Sequence, residues 1–383
     1  MRKFAETCEA IAGTTKKLLK IGIVAEYLRS RTMEEASVSA VFLSGKPFPA
    51  YEEATLQVGG RLLWQVLEEL SGKSAAELSA AYRRFGDLGA VAGEVLGGSG
   101  RGEKSTPSLR SAGQTRASVP TRAEGATEQP SSARPTGGDA RRSTENAELS
   151  AIEAENYFRQ IAAARGPAAK GALVRELLGR ASPLEAKYLV KIMTGDLRIG
   201  LKESLVEEAI ARAYDATLAQ VQHANMLVGD LGETLRLASQ GTLGEAHMRM
   251  FHPLGFMLAS PAESAEEALS YFEQASVEDK YDGIRAQAHV SAGEVKFFSR
   301  TRDEITESFP ELPDALAGLP QDAILDGEIV AWSYSEEGVG RALPFSALQQ
   351  RLGRKKVNAE LMRRVPVVYL VFDVLYAGEQ LLL

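Results

Sequence analysis

Lys280-Tyr281-Asp282-Gly283-Ile284-Arg285-Ala286-Gln287-Ala288-His289-Val290 is the stretch at which the hydrophobic period of this 383-residue chain changes. Ile284, Ala286, Ala288 and Val290 alternate, which puts them on one side of an extended strand. Ser291-Ala292-Gly293-Glu294 is turn chemistry, and Val295-Lys296-Phe297-Phe298-Ser299-Arg300 resumes extended character, so the segment reads as a β-hairpin. Two later runs, AILDGEIVAW (323–332) and VPVVYLVFDVLY (365–376), are rich in β-branched and aromatic residues and read as buried strands. A helix over PFSALQQRLGRK (344–355) is expected between them.

Upstream the period is helical. Phe4, Ile11, Leu18, Leu19, Ile23, Tyr27 and Leu28 recur near helical spacings, as do Leu62, Leu63, Val66, Leu67 and Leu70. Ile152, Tyr157, Phe158 and Ile161, then Leu173, Val174, Leu177 and Leu178, continue the pattern toward residue 250. Between these blocks, residues 97–148 contain Leu109 and Val119 as the only large aliphatics and no aromatic. Such a segment cannot bury enough apolar area to offset its chain entropy. It is expected to be a disordered low-complexity insertion, the alternative being an arginine-containing arm that touches phosphates. The expected organisation is a multidomain chain: an all-α domain in two parts, 1–96 and 149–250, around that insertion, then an α+β domain with antiparallel sheets over 251–383.

With 44 Lys plus Arg against 51 Asp plus Glu, the net charge is -7, which excludes gripping nucleic acid by bulk charge. Any such contact must use local patches. Cys8 alone forms no internal disulfide, and His223, His247, His252 and His289 have no zinc-site spacing. No apolar run approaches the ~18 residues of a membrane helix. These features are those expected of a soluble cytoplasmic protein.

The segment from Glu278 to Arg285 gathers a lysine, acids, a glycine and an arginine, a set suited to phosphates. An ordinary lysine amine, with a pKa of ~10.4, is protonated at neutral pH. A nucleophilic lysine therefore needs desolvation, neighbouring cations or a metal. Taken alone, the box is equally consistent with an exposed turn, because Asp-Gly is common in turns. Far upstream, GGSGRGEKS (97–105) resembles a P-loop only superficially: its spacing does not fit GxxxxGK[ST].

The box is followed in order by Ser299-Arg300, by Asp326-Gly327-Glu328 and by Phe372-Asp373-Val374-Leu375-Tyr376, with HPLGFMLA (252–259) just upstream. In that order the motifs resemble those of the ATP-dependent DNA ligases. The box alone is shared with RNA ligases and RNA capping enzymes. Residues 187–210, KYLVKIMTGDLRIGLKESLVEEAI, look like the helix-loop-helix signature of the DNA-binding domain in archaeal-type and eukaryotic-type replicative ligases, and 83–92, RRFGDLGAVA, resembles another piece of it. Lys187, Lys191, Arg198 and Lys202 concentrate positive charge around a glycine-containing loop that can meet phosphates, although a solvated helix face is the other reading.

The resemblance implies roles. Lys280 would attack the α-phosphate of ATP and carry AMP. Glu278 and Arg285 would line the nucleotide pocket, Arg300 would contact nucleotide or DNA phosphate, Glu328 would hold the ribose, and Phe372 would stack on adenine. Asp282 and Glu328 would help place Mg2+. The implied activity is sealing of nicks in double-stranded DNA during replication, repair and recombination, by a monomer in the nucleoid, with a sliding clamp as a further partner. Related ligases continue with an EGxxxK motif, a KxK motif and an OB-fold, so the chain is expected to be C-terminally truncated, with a partial adenylation domain and no OB-fold. The expectation for residues 1–383 alone is DNA binding without sealing. The alternatives are a catalytically inactive nicked-DNA-binding fragment and an RNA ligase or capping-type nucleotidyltransferase.

Overall fold

The computed structural model describes residues 1–49, 51–52, 54–98, 148–257, 259–335, 337–352 and 357–382. Helices α1 (Arg2–Ala12), α2 (Lys17–Arg29), α3 (Met33–Leu43), α4 (Gly60–Ser71), α5 (Ala75–Phe85) and α6 (Leu88–Gly97) come first. After a gap follow α7 (Ala151–Ala163), α8 (Pro167–Arg180), α9 (Pro183–Met193), α10 (Glu203–Ala213), α11 (Leu218–Val228) and α12 (Leu231–Gln240). Of the segment expected to be disordered, 99–147 lies outside the described residues, while Gly97 ends α6. Among the described residues no helix is long and apolar enough to cross a membrane.

Serine and threonine open several of these helices with reciprocal bonds. Ser150, Ser182 and Thr217 each cap a backbone N–H three residues on, and Glu153, Glu185 and Gln220 return the bond. Helices from both sides of the gap share one core. Phe4 on α1, Phe42 on α3 and Phe158 on α7 meet edge to face at 6.0 and 5.5 Å. The periodic pattern misassigns one face of α2: Leu18 is 75% exposed and Leu19 is also exposed, while Lys20 is buried. The cause is distant in sequence. The Lys20 ammonium donates to the carbonyls of Ile199 and Gly200 at 2.7 and 2.9 Å, fixing the loop between α9 and α10.

The sequence pieces 83–92 and 187–210 pack on each other. Gly89 of α6 lies so close to α9 that a Cβ would sit 2.5 Å from the Lys187 carbonyl oxygen and from Lys191 Cγ. Only glycine permits that approach.

The second part contains α13 (Ala265–Ser270), β1 (Ile284–Ser291), β2 (Glu294–Ser299), α14 (Leu312–Leu316), β3 (Ala323–Tyr334), β4 (Gly340–Ala342), α15 (Phe345–Leu348), α16 (Ala359–Arg364), β5 (Val367–Ala377) and β6 (Gln380–Leu381). The sheet order is β2-β1-β3-β5-β6, with β4 on β3, and every pairing is antiparallel. Of the helix expected over 344–355, residues 353–355 lie outside the described residues, while Phe345–Leu348 forms α15 and 349–352 turns away from it. Arg351, just beyond it, is fully buried: it binds Glu311 and donates to the carbonyls of Ser308 and Val365 at 3.0 and 3.1 Å. One sheet face, with Ala286, Ala288, Phe297 and Ile329, packs on Phe309, Leu348 and Leu361.

One strand expectation is corrected. The strand β5 is not buried throughout: Val371, Phe372 and Val374 are exposed, because beyond β5 the only described strand is the two-residue β6. On the other face of β1, Gln287 and His289 are fully buried beneath residues 251–254. The Phe251 N–H donates to His289 Nδ1 at 3.1 Å, so the proton on Nε2 faces Gln287 Oε1 at 3.2 Å. Gln287 also exchanges bonds with the Leu254 N–H and carbonyl at 2.9 and 3.1 Å.

Burial, with a smaller contribution from the charge of His252, pushes the His289 imidazole down to about 3. Its neutral form is the folded form, so this contribution to stability is complete above the unfolded pKa of ~6.5 and is lost as pH falls from there toward 3. Moving from pH 7 to pH 5 should cost about 2 kcal/mol at this site. Urea unfolding at the two pH values checks this: the His289→Asn variant should lose that part of the pH slope, and an unchanged slope would refute the assignment.

Candidate active site

The site lies on the sheet face opposite the α14–α16 core, where β1, β3 and β5 are adjacent. Lys280 and Asp282 are exposed in the irregular segment that leads into β1. The Gly283 N–H donates to Glu328 Oε1 at 3.0 Å, tying that segment to β3. Arg285 and Glu328 are register partners across β1 and β3. Burial raises the Glu328 carboxyl above its ordinary range, against the opposing influence of that N–H, Lys280 and Arg285.

Arg285 is the most constrained of the expected residues. Its Nε and Nη2 donate to the two oxygens of Asp326 at 3.2 and 2.7 Å, and Nη1 donates to the Met257 carbonyl at 2.8 Å. Its guanidinium lies 5.0 Å from the Phe256 ring centre and 5.7 Å from that of Phe372. The paired Asp326 carboxylate strengthens the hold of Arg285 on its proton. Phe372 is 44% exposed, so its ring is accessible rather than sealed in a core. The structure thus brings Arg285, Glu328 and Phe372 together beside the segment carrying Lys280.

Glu278 is exposed and accepts from the Ser276 hydroxyl at 3.1 Å, and Arg300 is exposed in the turn after β2. Among the described residues neither has a hydrogen bond or ion pair that ties it to the group around Arg285. The geometry adds residues to which the sequence reading gave no role. Asp326 holds Arg285, Phe256 faces it, and the single O–H of Tyr369 is shared between the carbonyls of Ala286 and Leu325, 2.9 and 3.0 Å away, which ties three strands together. Asp326 and Phe256 lay inside quoted motifs; only the pairing of β1 with β3 reveals what they touch.

The basic group on the helical part divides. Arg198 and Lys202 are exposed on the loop between α9 and α10, where Arg198 adopts φ +49° and donates to Asp196 at 2.6 Å and to the Gly86 carbonyl at 2.8 Å. Lys187 pairs with Glu9. Lys191 departs from the expected surface: its side chain is 6% exposed and pairs with Asp87, the residue that caps α6. It holds α6 to α9 instead of facing solvent.

Residues 1–211 match the sequence profile described as DNA ligase N terminus, and residues 256–383 match that of the ATP dependent DNA ligase domain. The probable DNA ligase of Koribacter versatilis is 53% identical over 383 residues, which is 100% of this chain and 58% of that protein. The probable DNA ligase of Opitutus terrae is 38% identical, over 100% of this chain and 39% of its own length. The DNA ligase of Methanosphaerula palustris is 31% identical, over 99% of this chain and 62% of its own. The chain therefore spans between 39% and 62% of the length of these relatives. With both profiles matched in order on the helical and the sheet parts, the chain belongs to the family of ATP-dependent DNA ligases.

Proposed function

We propose that the chain activates ATP by forming a lysyl-AMP at Lys280 and grips nicked duplex DNA with its helical part. The observation that carries this reading is the convergence of Arg285, Glu328 and Phe372 on three adjacent strands beside the segment bearing Lys280. Each supplies one element of nucleotide recognition. The Glu328 carboxylate suits ribose hydroxyls, the exposed Phe372 ring suits a base, and Arg285 keeps two of its five N–H donors for phosphate or sugar oxygens.

In the reaction, the unprotonated Lys280 amine attacks the α-phosphorus in line. A P–N bond forms, the bond from the α-phosphorus to the bridging oxygen breaks, and pyrophosphate leaves with the electron pair while the amine releases its proton to solvent. Oxygen donors at Asp282 and Glu328 suit magnesium, which needs only one or two carboxylates besides phosphates and water and supplies charge neutralisation at the phosphates. In the complete sealing reaction a nicked 5'-phosphate would then accept AMP as the P–N bond breaks and the amine is regenerated, and the 3'-hydroxyl would displace AMP; for residues 1–383 alone the proposal is AMP transfer to Lys280 and DNA binding, without sealing. Labelled pyrophosphate should enter ATP, and not GTP, in the presence of the protein and magnesium. Exchange into GTP alone would favour the capping-type reading, and no exchange would refute lysyl-AMP formation.

Arg198 and Lys202 are the exposed members of the expected basic group, and the loop that bears them is braced by Lys20. Neutralising both should weaken binding to a nicked duplex about tenfold at low salt and reduce the salt slope by about two. A gel-shift titration measures this. Equal affinity for the unaltered protein and the double variant would remove this loop from the DNA interface.

A further inference from the structure

Residues 251–257 form a strap that crosses from the helical part to the site. It is anchored on both sides. The Gly255 N–H donates to the Met226 carbonyl at 3.0 Å, and His252 stacks on Tyr51 at 4.0 Å on the helical side. On the sheet side Leu254 exchanges two hydrogen bonds with Gln287. Immediately beyond these anchors come Phe256 and Met257, whose ring and carbonyl both address Arg285.

Phe256 belongs to none of the hydrophobic cores. Its described partner is the Arg285 guanidinium, which lies 5.0 Å from the Phe256 ring centre and 5.7 Å from that of Phe372 and is gripped at its edge by Asp326. An arginine side chain has large rotamer freedom, and a donor already fixed in place loses less entropy when ligand arrives. Asp326 and Met257 take three of the five N–H donors, so the orientation of the two that remain is set by the strap as much as by the strand.

We propose that Phe256 is a positioning residue for the nucleotide: it presses Arg285 into the orientation that receives ATP, so nucleotide affinity depends on the strap being docked against the helical part. This rests on the reading of the site as an ATP site.

The test is equilibrium binding of ATP with magnesium to the full 383-residue chain, with thermal unfolding in parallel. Phe256→Ala should raise the Kd for ATP about tenfold with little change in Tm, and Phe256→Tyr, which keeps a π face, should bind like the unaltered protein. Phe256→Leu, which restores bulk without that face, should bind as poorly as the alanine variant. In an Arg285→Ala background, Phe256→Ala should add no further loss. Unchanged affinity in Phe256→Ala, recovery in Phe256→Leu, or full additivity with Arg285→Ala would overturn the proposal while leaving the ATP site intact. Should the alanine variant fail to fold, the comparison of the leucine and tyrosine variants decides. Absence of ATP binding by the unaltered chain would overturn the reading of the site itself, and this inference with it.

Discussion

Replacing Lys280 with alanine is expected to abolish transfer of AMP from α-labelled ATP to the protein, a loss beyond a thousandfold, with circular dichroism and Tm unchanged. The separation between activity and folding follows from its position. Lys280 is exposed and lies outside every hydrophobic core, so its loss removes an amine and no packing. Lys280→Arg should be equally inactive, because a guanidinium stays protonated in proteins and is not nucleophilic. Persistent labelling of the alanine variant would show that another residue carries the nucleotide.

The second large effect is expected at Gly327→Ala, and it is structural. Between Asp326 and Gly327 the pairing of β3 with β5 shifts register, and there the strands approach so closely that a Cβ would sit 2.5 Å from the Leu370 carbonyl oxygen and 2.7 Å from the Tyr369 ring. Neither neighbour can yield easily. The first is backbone, and the second is pinned by its hydroxyl, which is shared between the carbonyls of Ala286 and Leu325. A methyl group would force β3 and β5 apart, at about 3 kcal/mol, and would displace Asp326 and Glu328 on either side. Urea unfolding followed by Trp332 fluorescence should show the loss, together with weakened ATP binding. A change below about 0.5 kcal/mol would contradict the close packing.

The elements that sequence revealed are those whose logic is local. The β1–β2 hairpin is visible from alternation and from its turn, where Ala292 and Gly293 both take positive φ, and the helices are visible from their apolar spacing. What stayed hidden depends on partners far along the chain. Lys20 is buried through carbonyls some 180 residues away, and Lys191 leaves the surface to pair with Asp87. The burial of Gln287 and His289 depends on the strap, 33 to 38 residues upstream, that covers them. The site was legible as a series of motifs, since Arg285, Glu328 and Phe372 do meet. Their arrangement was not, because it needs the order β1-β3-β5, and nothing in the spacing of the motifs specifies which strands lie side by side.

The most direct test of the central claim compares the fate of the two ends of ATP. The 383-residue chain is incubated with magnesium and either α-labelled or γ-labelled ATP, denatured, digested, and its labelled peptide sequenced. The account predicts acid-labile label from the α-position alone, on the peptide containing Lys280. Label from the γ-position, or α-label on a peptide that lacks Lys280, would contradict it.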